Sequence, residues 1–248
     1  MTAVRRGAIA SISCAAALLC FPGRAHAMHI ADGILPPAWA GFWFLVAAPF
    51  LVLGMRELRI RSDREPRFKA LVGLVGAAVF VLSCMPIPVP TAGSCSHPCG
   101  TGLAAILIGP GITVVVASTA LLLQALFLAH GGLTTLGANL VSMGVVGAYL
   151  GSGVFLVARK VRIPWLLAAF LAGLVSDWGT YATTSFALSA ALTRDGSMGS
   201  LFLVILAAFA PTQVPLGIFE GFLAAGAYRL IRTRRPELMD LPREEGAA

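Results

Sequence analysis

Charged side chains are scarce in this sequence. Only 12% of its 248 residues are Asp, Glu, Lys or Arg, whereas 58% are hydrophobic, and the mean hydropathy is +0.86. Soluble domains average about 25% charged residues, so this composition excludes a soluble protein and indicates an integral membrane protein. The net charge of +7 would indicate nucleic-acid binding in a soluble protein, but in a membrane protein the basic residues set the orientation.

Several catalytic motifs are also missing from the sequence. It has no Gly-x-x-x-x-Gly-Lys-[Ser/Thr] phosphate-binding loop, so we expect no ATP hydrolysis by the chain itself. Neither His-Glu-x-x-His nor Gly-x-Ser-x-Gly occurs, which weakens the hypothesis of an intramembrane hydrolase. That enzyme class stays open as the remote alternative, with His97, Asp177 and Glu220 as its candidate catalytic residues.

The N-terminal region has the features of a cleaved signal peptide. Two arginines precede an apolar run over residues 8–21, which is too short to form a stable membrane span. Ala25 and Ala27 are the small residues that a signal peptidase needs before its cleavage site. We therefore expect residues 1–27 to be removed, which leaves Met28 as the new N-terminus.

Seven apolar segments follow, and they predict an all-α membrane bundle of about seven transmembrane segments over residues 28–235. The short third segment stops at a Gly-Pro-Gly sequence. The predicted segments cover approximately residues 36–55, 70–87, 101–108, 112–129, 134–158, 164–192 and 200–231.

Lysine and arginine predict the orientation of this bundle. Fourteen basic residues lie in three regions, 56–69, 159–162 and 229–243, and seven crossings would put all three on one side. The opposite side of the mature chain has only Arg194. Because cytoplasmic loops are enriched in Lys and Arg, we expect a multi-pass protein of the inner (plasma) membrane. Its mature N-terminus would lie outside, and the polar tail, residues 236–248, in the cytoplasm.

The same topology gathers three of the four histidines, His29, His97 and His130, on the outer side; the fourth, His26, leaves with the signal peptide. A free amine at Met28, the backbone nitrogen of His29 and its Nδ1 can close adjacent five- and six-membered chelate rings on one metal ion. Three nitrogens in a plane suit Ni(II), Cu(II) or low-spin Co(II) better than tetrahedral zinc.

The loop over residues 91–100 is rich in glycine and serine and lies between prolines. Non-helical backbone near a membrane is tolerated where it packs in protein or lines a cavity, so this loop is a natural binding element. Its His97 could supply a fourth nitrogen. Cys95 and Cys99 could instead form a thiolate site or, outside the cytoplasm, a disulfide.

Five polar side chains interrupt the apolar segments and should face the interior of the bundle. We expect Gln124 and Gln213 to make hydrogen bonds between helices, away from any metal. For Asn139, Asp177 and Glu220 two interpretations stay open: a hydrogen bond between helices, or a contact that orients a metal-binding histidine.

Four motifs together resemble the CbiM/NikM family, the substrate-binding membrane subunits of energy-coupling-factor cobalt and nickel transporters. The similarity covers essentially the whole mature chain. The motifs are Met28-His-Ile-Ala-Asp-Gly-Ile-Leu-Pro-Pro37, Gly93-Ser-Cys-Ser-His-Pro98, Leu128-Ala-His-Gly-Gly-Leu-Thr-Thr-Leu-Gly-Ala-Asn139, and Thr212-Gln-Val-Pro215 followed by Glu220-Gly221.

The resemblance implies a non-enzymatic subunit that imports Co(II) for cobalamin synthesis, or Ni(II) as the alternative, with no permanent cofactor. Its metal ligands would be Met28, His29 and His97. The implied partners are a CbiQ-like transmembrane coupling subunit, two CbiO-like ATPase subunits and a small CbiN-like membrane protein. The Ser-Cys-Ser-His-Pro motif is more similar to the cobalt branch. Apart from the resemblance, the candidates for positions around these ligands are Ser96, His130, Asn139, Asp177 and Glu220, the last three with the alternative given above.

Overall fold

A computed structural model describes residues 26–27, 29–85, 87–89, 94–193 and 196–240. Most of the predicted signal peptide, Met28 and the end of the polar tail lie outside the described residues. The chain is nearly all helical, as predicted, with three short strands that the sequence did not indicate: β1 (His26–Ala27), β2 (Ile87–Val89) and β3 (Ser94–Ser96).

Each of the seven apolar segments coincides with a helix. The helices are α1 (Pro37–Arg64), α2 (Pro66–Ser83), α3 (Thr101–Ile108), α4 (Pro110–Phe127), α5 (Leu136–Asn139), α6 (Ala148–Lys160), α7 (Trp165–Leu192), α8 (Met198–Arg234) and α9 (Glu237–Asp240). A π-helical segment, Leu140–Gly147, joins α5 to α6, so these form one continuous helix.

Five helices of the described chain are long and apolar enough to cross a membrane: α1, α2, α4, the α5–α6 helix and α8. Helix α3 has eight residues and is about 12 Å long, too short for a hydrocarbon core of roughly 30 Å. Helix α7 is long enough, but Asp177 and several hydroxyl side chains make it more polar. The chain is a multi-pass membrane protein, and the count of seven crossings stays a prediction.

Proline begins several of these helices. Pro37, Pro66 and Pro110 lie in the first turns of α1, α2 and α4, where the missing backbone N–H costs no hydrogen bond. Gly109, with φ of +90°, separates α3 from α4 and lies close to Glu57 and Arg61 near the end of α1. This turn therefore lies at the basic, predicted cytoplasmic end of the bundle.

The strands form a small sheet in the order β1-β3-β2. The parallel pair β1–β3 aligns His26 with Ser94 and Ala27 with Cys95. The same offset, continued by two residues, brings His29 opposite His97. Neighbouring strands lie about 4.8 Å apart, so side chains at aligned positions can touch. The sheet thus joins the N-terminal motif to the loop before α3, although β1 itself belongs to the predicted signal peptide.

Helices α7 and α8 form the most extensive helix pair. A Cβ at Gly173 would lie 2.7 Å from the carbonyl oxygen of Glu220, and one at Gly221 would lie 2.8 Å from the Phe170 ring. Small residues at such positions let membrane helices approach closely. The close packing fixes Asp177 of α7 and Glu220 of α8 beside the start of α3.

Candidate metal centre

Three imidazoles meet at one point of the fold. The ring centroids of His29 and His97 are 4.4 Å apart, those of His29 and His130 are 4.9 Å apart, and those of His97 and His130 are 5.1 Å apart. One nitrogen from each ring lies within 4.8 Å of the others. His29 and His97 are buried and His130 is partly buried. The arrangement suits a single divalent metal ion.

A chain of hydrogen bonds fixes the ring of His29. The Nε2–H of His29 donates to Oε1 of Gln124 at 3.1 Å, and the Gln124 amide donates to Ser83 Oγ at 2.6 Å. The Ser83 hydroxyl in turn donates to the carbonyl of Val79. Because the Ser83 hydroxyl donates its proton to Val79, the Gln124 NH2 group must donate to Ser83. The Gln124 oxygen then faces His29 and accepts its hydrogen bond. His29 therefore carries its proton on Nε2, which leaves the Nδ1 lone pair for a metal ion.

The other two rings each present a buried nitrogen. His97 bonds through Nδ1 to the carbonyl oxygen of Pro98 at 3.1 Å. Since only a protonated nitrogen can donate to a carbonyl, His97 Nε2 carries the free lone pair. That Nε2 and the Nε2 of His130 are buried without a hydrogen-bond partner among the described residues. Buried polar atoms rarely lack a partner, so these two nitrogens are good candidates for metal ligands.

The site keeps its imidazoles neutral. Burial lowers the pKa of His97 to about 3. Burial, together with the neighbouring His97 and His130, lowers the pKa of His29 well below its ordinary value, and burial also lowers that of His130. A neutral imidazole is the form that binds metals, so near neutral pH these rings need not lose a proton first.

The backbone beside His29 is held by the helix that follows the third histidine. Asn139 accepts the Ile30 N–H through Oδ1 at 2.8 Å and donates through Nδ2 to the Ile30 carbonyl at 3.1 Å. The Thr135 hydroxyl donates to the same carbonyl. Two residues after Ile30, Asp32 accepts hydrogen bonds from the N–H and the hydroxyl of Thr134. These contacts hold His29 in place independently of strand β1.

Two glycines let the loop of His130 lie directly on this segment. Gly131 has φ of +79°, and a Cβ there would lie 3.2 Å from Cβ of His29. A Cβ on Gly132 would lie 2.4 Å from an oxygen of Asp32. Only glycine tolerates both the left-handed backbone and the close approach. The Gly-Gly pair is therefore part of the site's construction.

The loop of His97 is held from the opposite side by α8. The amide of Gln213 donates to Ser96 Oγ at 2.8 Å. The carboxylate of Glu220 accepts the backbone N–H groups of Cys99 at 2.7 Å and Gly100 at 2.8 Å. Glu220 therefore holds the backbone just after His97.

Cys99 is a free thiol in this structure, so the disulfide that the sequence left open is not formed. It belongs to a second cluster, in which one ligand atom from each of Cys99, Asp177 and Glu220 lies within 4.8 Å of the others, all three residues being buried. Burial, followed by the nearby Glu220 and Asp177, raises the pKa of the Cys99 thiol well above its ordinary value.

The structure thus brings together most of the residues that the sequence selected, in two groups. His29, His97 and His130 form the first, with Asn139 and Ser96 at its edges. Asp177 and Glu220 lie in the second. The hydrolase hypothesis needs His97 and both carboxylates in one cluster. Here His97 lies with the other two histidines, and the carboxylates lie with Cys99. Met28 and the Cys95 side chain lie outside the described residues.

One sequence expectation is wrong. Gln124 was expected to make a hydrogen bond between helices without contact to a metal site; it does bond to Ser83, but it also holds the ring of the candidate ligand His29. Gln213 bonds to Ser96, the residue before His97, which is not itself a candidate ligand. The position of Gln124 and Gln213 inside apolar segments indicates that they are buried. It does not indicate which residue each side chain contacts.

The chain is similar to curated cobalt transport proteins. Two proteins named cobalt transport protein CbiM are 57% identical over 217 residues, in Geobacter sulfurreducens, and 54% identical over 213 residues, in Sorangium cellulosum. These alignments cover 88% and 86% of this chain. The chain spans 63% of the Geobacter relative's length and 95% of the Sorangium relative's.

Solved structures support the fold. A truncated transition metal transporter superposes with a TM-score of 0.74 at 20% identity, over 83% of this chain and 98% of the other. A second transition metal transporter gives 0.73 at 19% identity, over 83% and 92%. Residues 29–238 match the family CbiM, described as a cobalt uptake substrate-specific transmembrane region. The chain belongs to the CbiM family.

Proposed function

We propose that this chain captures Co(II) on the outer side of the membrane and passes it inward as the substrate-binding subunit of an ATP-driven transporter. The observation that carries the proposal is the cluster of His29, His97 and His130, whose nitrogens lie within 4.8 Å of one another. The names of the curated relatives, cobalt transport protein CbiM, favour cobalt as the substrate.

The proposed ligands combine the N-terminus with this cluster. After removal of residues 1–27, the Met28 amine and the backbone nitrogen and Nδ1 of His29 would provide three nitrogens. The bond from His29 Nε2 to Gln124 supports this use of Nδ1. His97 Nε2, which is buried and has no hydrogen-bond partner in the described part of the chain, would be the fourth ligand. Four nitrogens in a plane favour Co(II) or Ni(II) over zinc.

His130 has a different place in the proposal. The planar set is complete without it, yet its Nε2 is buried beside the other two rings. We assign it the role of an additional, weaker ligand or of a hydrogen-bond partner to the metal's surroundings. Ni(II) is the alternative substrate, because it accepts the same nitrogens and binds most ligand sets more tightly than Co(II).

The energy for import would come from partner proteins. The sequence has no phosphate-binding loop, so the proposal requires the CbiQ-like coupling subunit and two CbiO-like ATPases, with the small CbiN-like protein as accessory. Cobalamin synthesis is the proposed use of the cobalt. Residues 28–235 would form the membrane-embedded subunit and 236–248 its cytoplasmic tail.

Uptake of radioactive cobalt tests this function. Cells that express the chain with the three partner proteins should accumulate Co(II), and His97→Ala should remove the accumulation. Thr119→Ala, an exposed position on α4 whose hydroxyl bonds only to the Val115 carbonyl, is the matched control. An excess of Ni(II) should reduce the accumulation, because Ni(II) accepts the same nitrogens. Uptake that is unchanged by His97→Ala, or that continues when the ATPases are inactivated, would contradict the proposal.

A further inference from the structure

The cluster of Cys99, Asp177 and Glu220 lies where α7 and α8 meet the start of α3, two residues along the chain from His97. The rise of 1.5 Å per residue puts Asp177 about 18 Å along α7 from Trp165, and Glu220 about 21 Å along α8 from Arg234. In a hydrocarbon core of roughly 30 Å, both carboxylates lie in the membrane interior. The thiol of Cys99 reaches them from the loop that also carries His97.

No basic side chain is available to neutralise these carboxylates. The sequence has no lysine or arginine over residues 70–158, 163–193 or 195–228. These ranges include nearly all of α2, the whole of α3, α4 and α7, and the part of α8 that packs here. Two carboxylates side by side in a dry interior repel each other, and burial disfavours their charge. Such a pair is retained only if it carries protons or meets a cation.

The two carboxyl groups of the cluster share a side-chain hydrogen bond, Asp177 with Glu220, which requires a proton on one of them. Apart from that bond, neither oxygen of Asp177 meets a hydrogen-bond donor among the described residues. Glu220, by contrast, also accepts the N–H groups of Cys99 and Gly100. Hydroxyl groups lie nearby: Thr180 contacts the Cys99 thiol, and Thr101 and Ser176 lie 3.3 Å apart. Asp177 therefore keeps acceptor capacity beside a thiol and a second carboxyl group.

We propose that Cys99, Asp177 and Glu220 form a second, inner binding site for a divalent transition metal ion, which the ion occupies after it leaves the histidines. The proposal rests on the function proposed above. One thiolate and two carboxylates are ligands that cobalt and zinc both accept, in a geometry close to tetrahedral. Ligand atoms within 4.8 Å of one another need to close by only about 1 Å around bonds of about 2.0–2.3 Å.

The charge balance of this step is simple. The bound ion displaces the proton of the Cys99 thiol, since a coordinating thiol is deprotonated. The dication then faces one thiolate and two carboxylates. If one carboxylate keeps a proton, the site is neutral. His97 and Cys99 belong to one short loop, so a small movement of that loop could pass the ion from the outer site to the inner one.

A Co(II) titration of the purified protein beginning at Met28 tests the inner site. Thiolate ligation to Co(II) produces a near-ultraviolet charge-transfer band that an all-nitrogen site lacks. We expect two metal ions per chain, the weaker accompanied by this band. His97→Ala should lose the tighter ion and keep the band. Cys99→Ser and Asp177→Asn should lose the band and keep the tighter ion.

Two controls make the result specific. Cys95→Ser, which removes the other thiol of the loop, should keep the band. Ser189→Ala, a buried position on α7 whose hydroxyl bonds to the Phe186 carbonyl, should bind as the unmodified chain does. One ion per chain without a band, lost in His97→Ala and unaffected by Cys99→Ser, would overturn the inner site and leave the proposed function standing. No binding by the unmodified chain would overturn both.

Discussion

The two buried clusters of this protein differ in how completely their hydrogen bonds are satisfied. Around the histidines, a directional chain through Gln124 and Ser83 fixes the proton of His29, and Asn139 fixes the adjacent backbone. Around Cys99, Glu220 accepts two backbone N–H groups, whereas Asp177 has only its hydrogen bond with Glu220 among the described residues. The outer cluster is preorganised for a ligand, whereas the inner one holds uncompensated acidic groups.

This difference indicates different tasks. The imidazoles of the outer cluster are held in place as neutral rings, so little ordering is needed when a metal ion arrives, and only the amine and the backbone nitrogen of the proposed chelate must give up protons. In the inner cluster every ligand is an acid, so binding requires release of the thiol proton and is weaker and more sensitive to pH. Transfer from the tighter outer site to the weaker inner one is uphill, so we assign that step to the energy supplied by the partner ATPases.

We expect the largest effect on Co(II) affinity when one proposed ligand of each cluster is substituted in turn. His97→Ala should weaken Co(II) binding at the outer site by more than the roughly 100-fold that loss of a surrounding hydrogen bond can cost. Asp177→Asn should leave the outer affinity within a few-fold of the unmodified chain. Calorimetric titration of both variants measures this. Equal losses would mean that the clusters act as one site.

The hydrogen-bond chain of the outer cluster gives the next effect. Gln124→Leu removes the acceptor that fixes the proton of His29 on Nε2, so we expect about 10–100-fold weaker Co(II) binding. Thr119→Ala on the same helix is the control and should not differ from the unmodified chain. An unchanged affinity for Gln124→Leu would show that the His29 tautomer does not limit binding.

Glu220→Gln should affect the fold more than the outer affinity. The amide can accept only one of the N–H groups of Cys99 and Gly100 through its oxygen, so the variant should lose about 1–3 kcal/mol of stability. Thermal unfolding in detergent measures the loss. A more stable variant would indicate that repulsion between Glu220 and Asp177 outweighs these bonds.

Acid should destabilise the metal-free protein through the histidines. Because the folded protein lowers the pKa of His97 to about 3 from an ordinary value near 6.5, the unfolded chain binds more protons between these two values. The free energy of unfolding is therefore unaffected by this histidine above about pH 6.5. Below that it falls as the pH drops, by at most about 1.4 kcal/mol per pH unit for His97. His97→Gln should flatten the slope, as measured by unfolding at pH 7 and pH 5 with a chelator. A slope unchanged by that substitution would contradict the shift.

The smallest effect concerns the loop of His130. Gly131→Ala places a Cβ in the left-handed region and 3.2 Å from Cβ of His29, so we expect a loss of about 1–2 kcal/mol. Gly153→Ala on α6, where an added Cβ meets nothing within 4 Å, is the control and should stabilise or be neutral. Equal stability of the two variants would mean that the loop relaxes without cost.

The sequence predicted the helices well because their signal is local. Apolar runs bounded by proline, glycine and basic residues locate helix ends to within a few residues, except at α1, which continues through several charged residues to Arg64. The β1–β3 pairing was not predictable, since two- and three-residue strands carry no periodic pattern. The same limitation hid the alignment of His29 with His97.

The candidate site was predictable in its histidines but not in its surroundings. Three of only four histidines lie on one predicted side of the membrane, which indicates a metal site there. The resemblance to the family limits the expected metal ions to Co(II) and Ni(II). Gln124 and Gln213 could be predicted as buried but not as partners of the loop residues, because helix rotation and depth come from packing. The grouping of Cys99 with Asp177 and Glu220, separate from the histidines, likewise depends on how α7 and α8 meet α3.

The most direct test of the central claim compares two purified forms, one beginning at Met28 and one retaining Ala27 in front of it, by calorimetric titration with Co(II) and Ni(II). We expect only the form beginning at Met28 to bind tightly at the outer site, because an added residue turns the Met28 amine into an amide. Equal tight binding by both forms would remove that amine from the site and contradict the proposed N-terminal chelate.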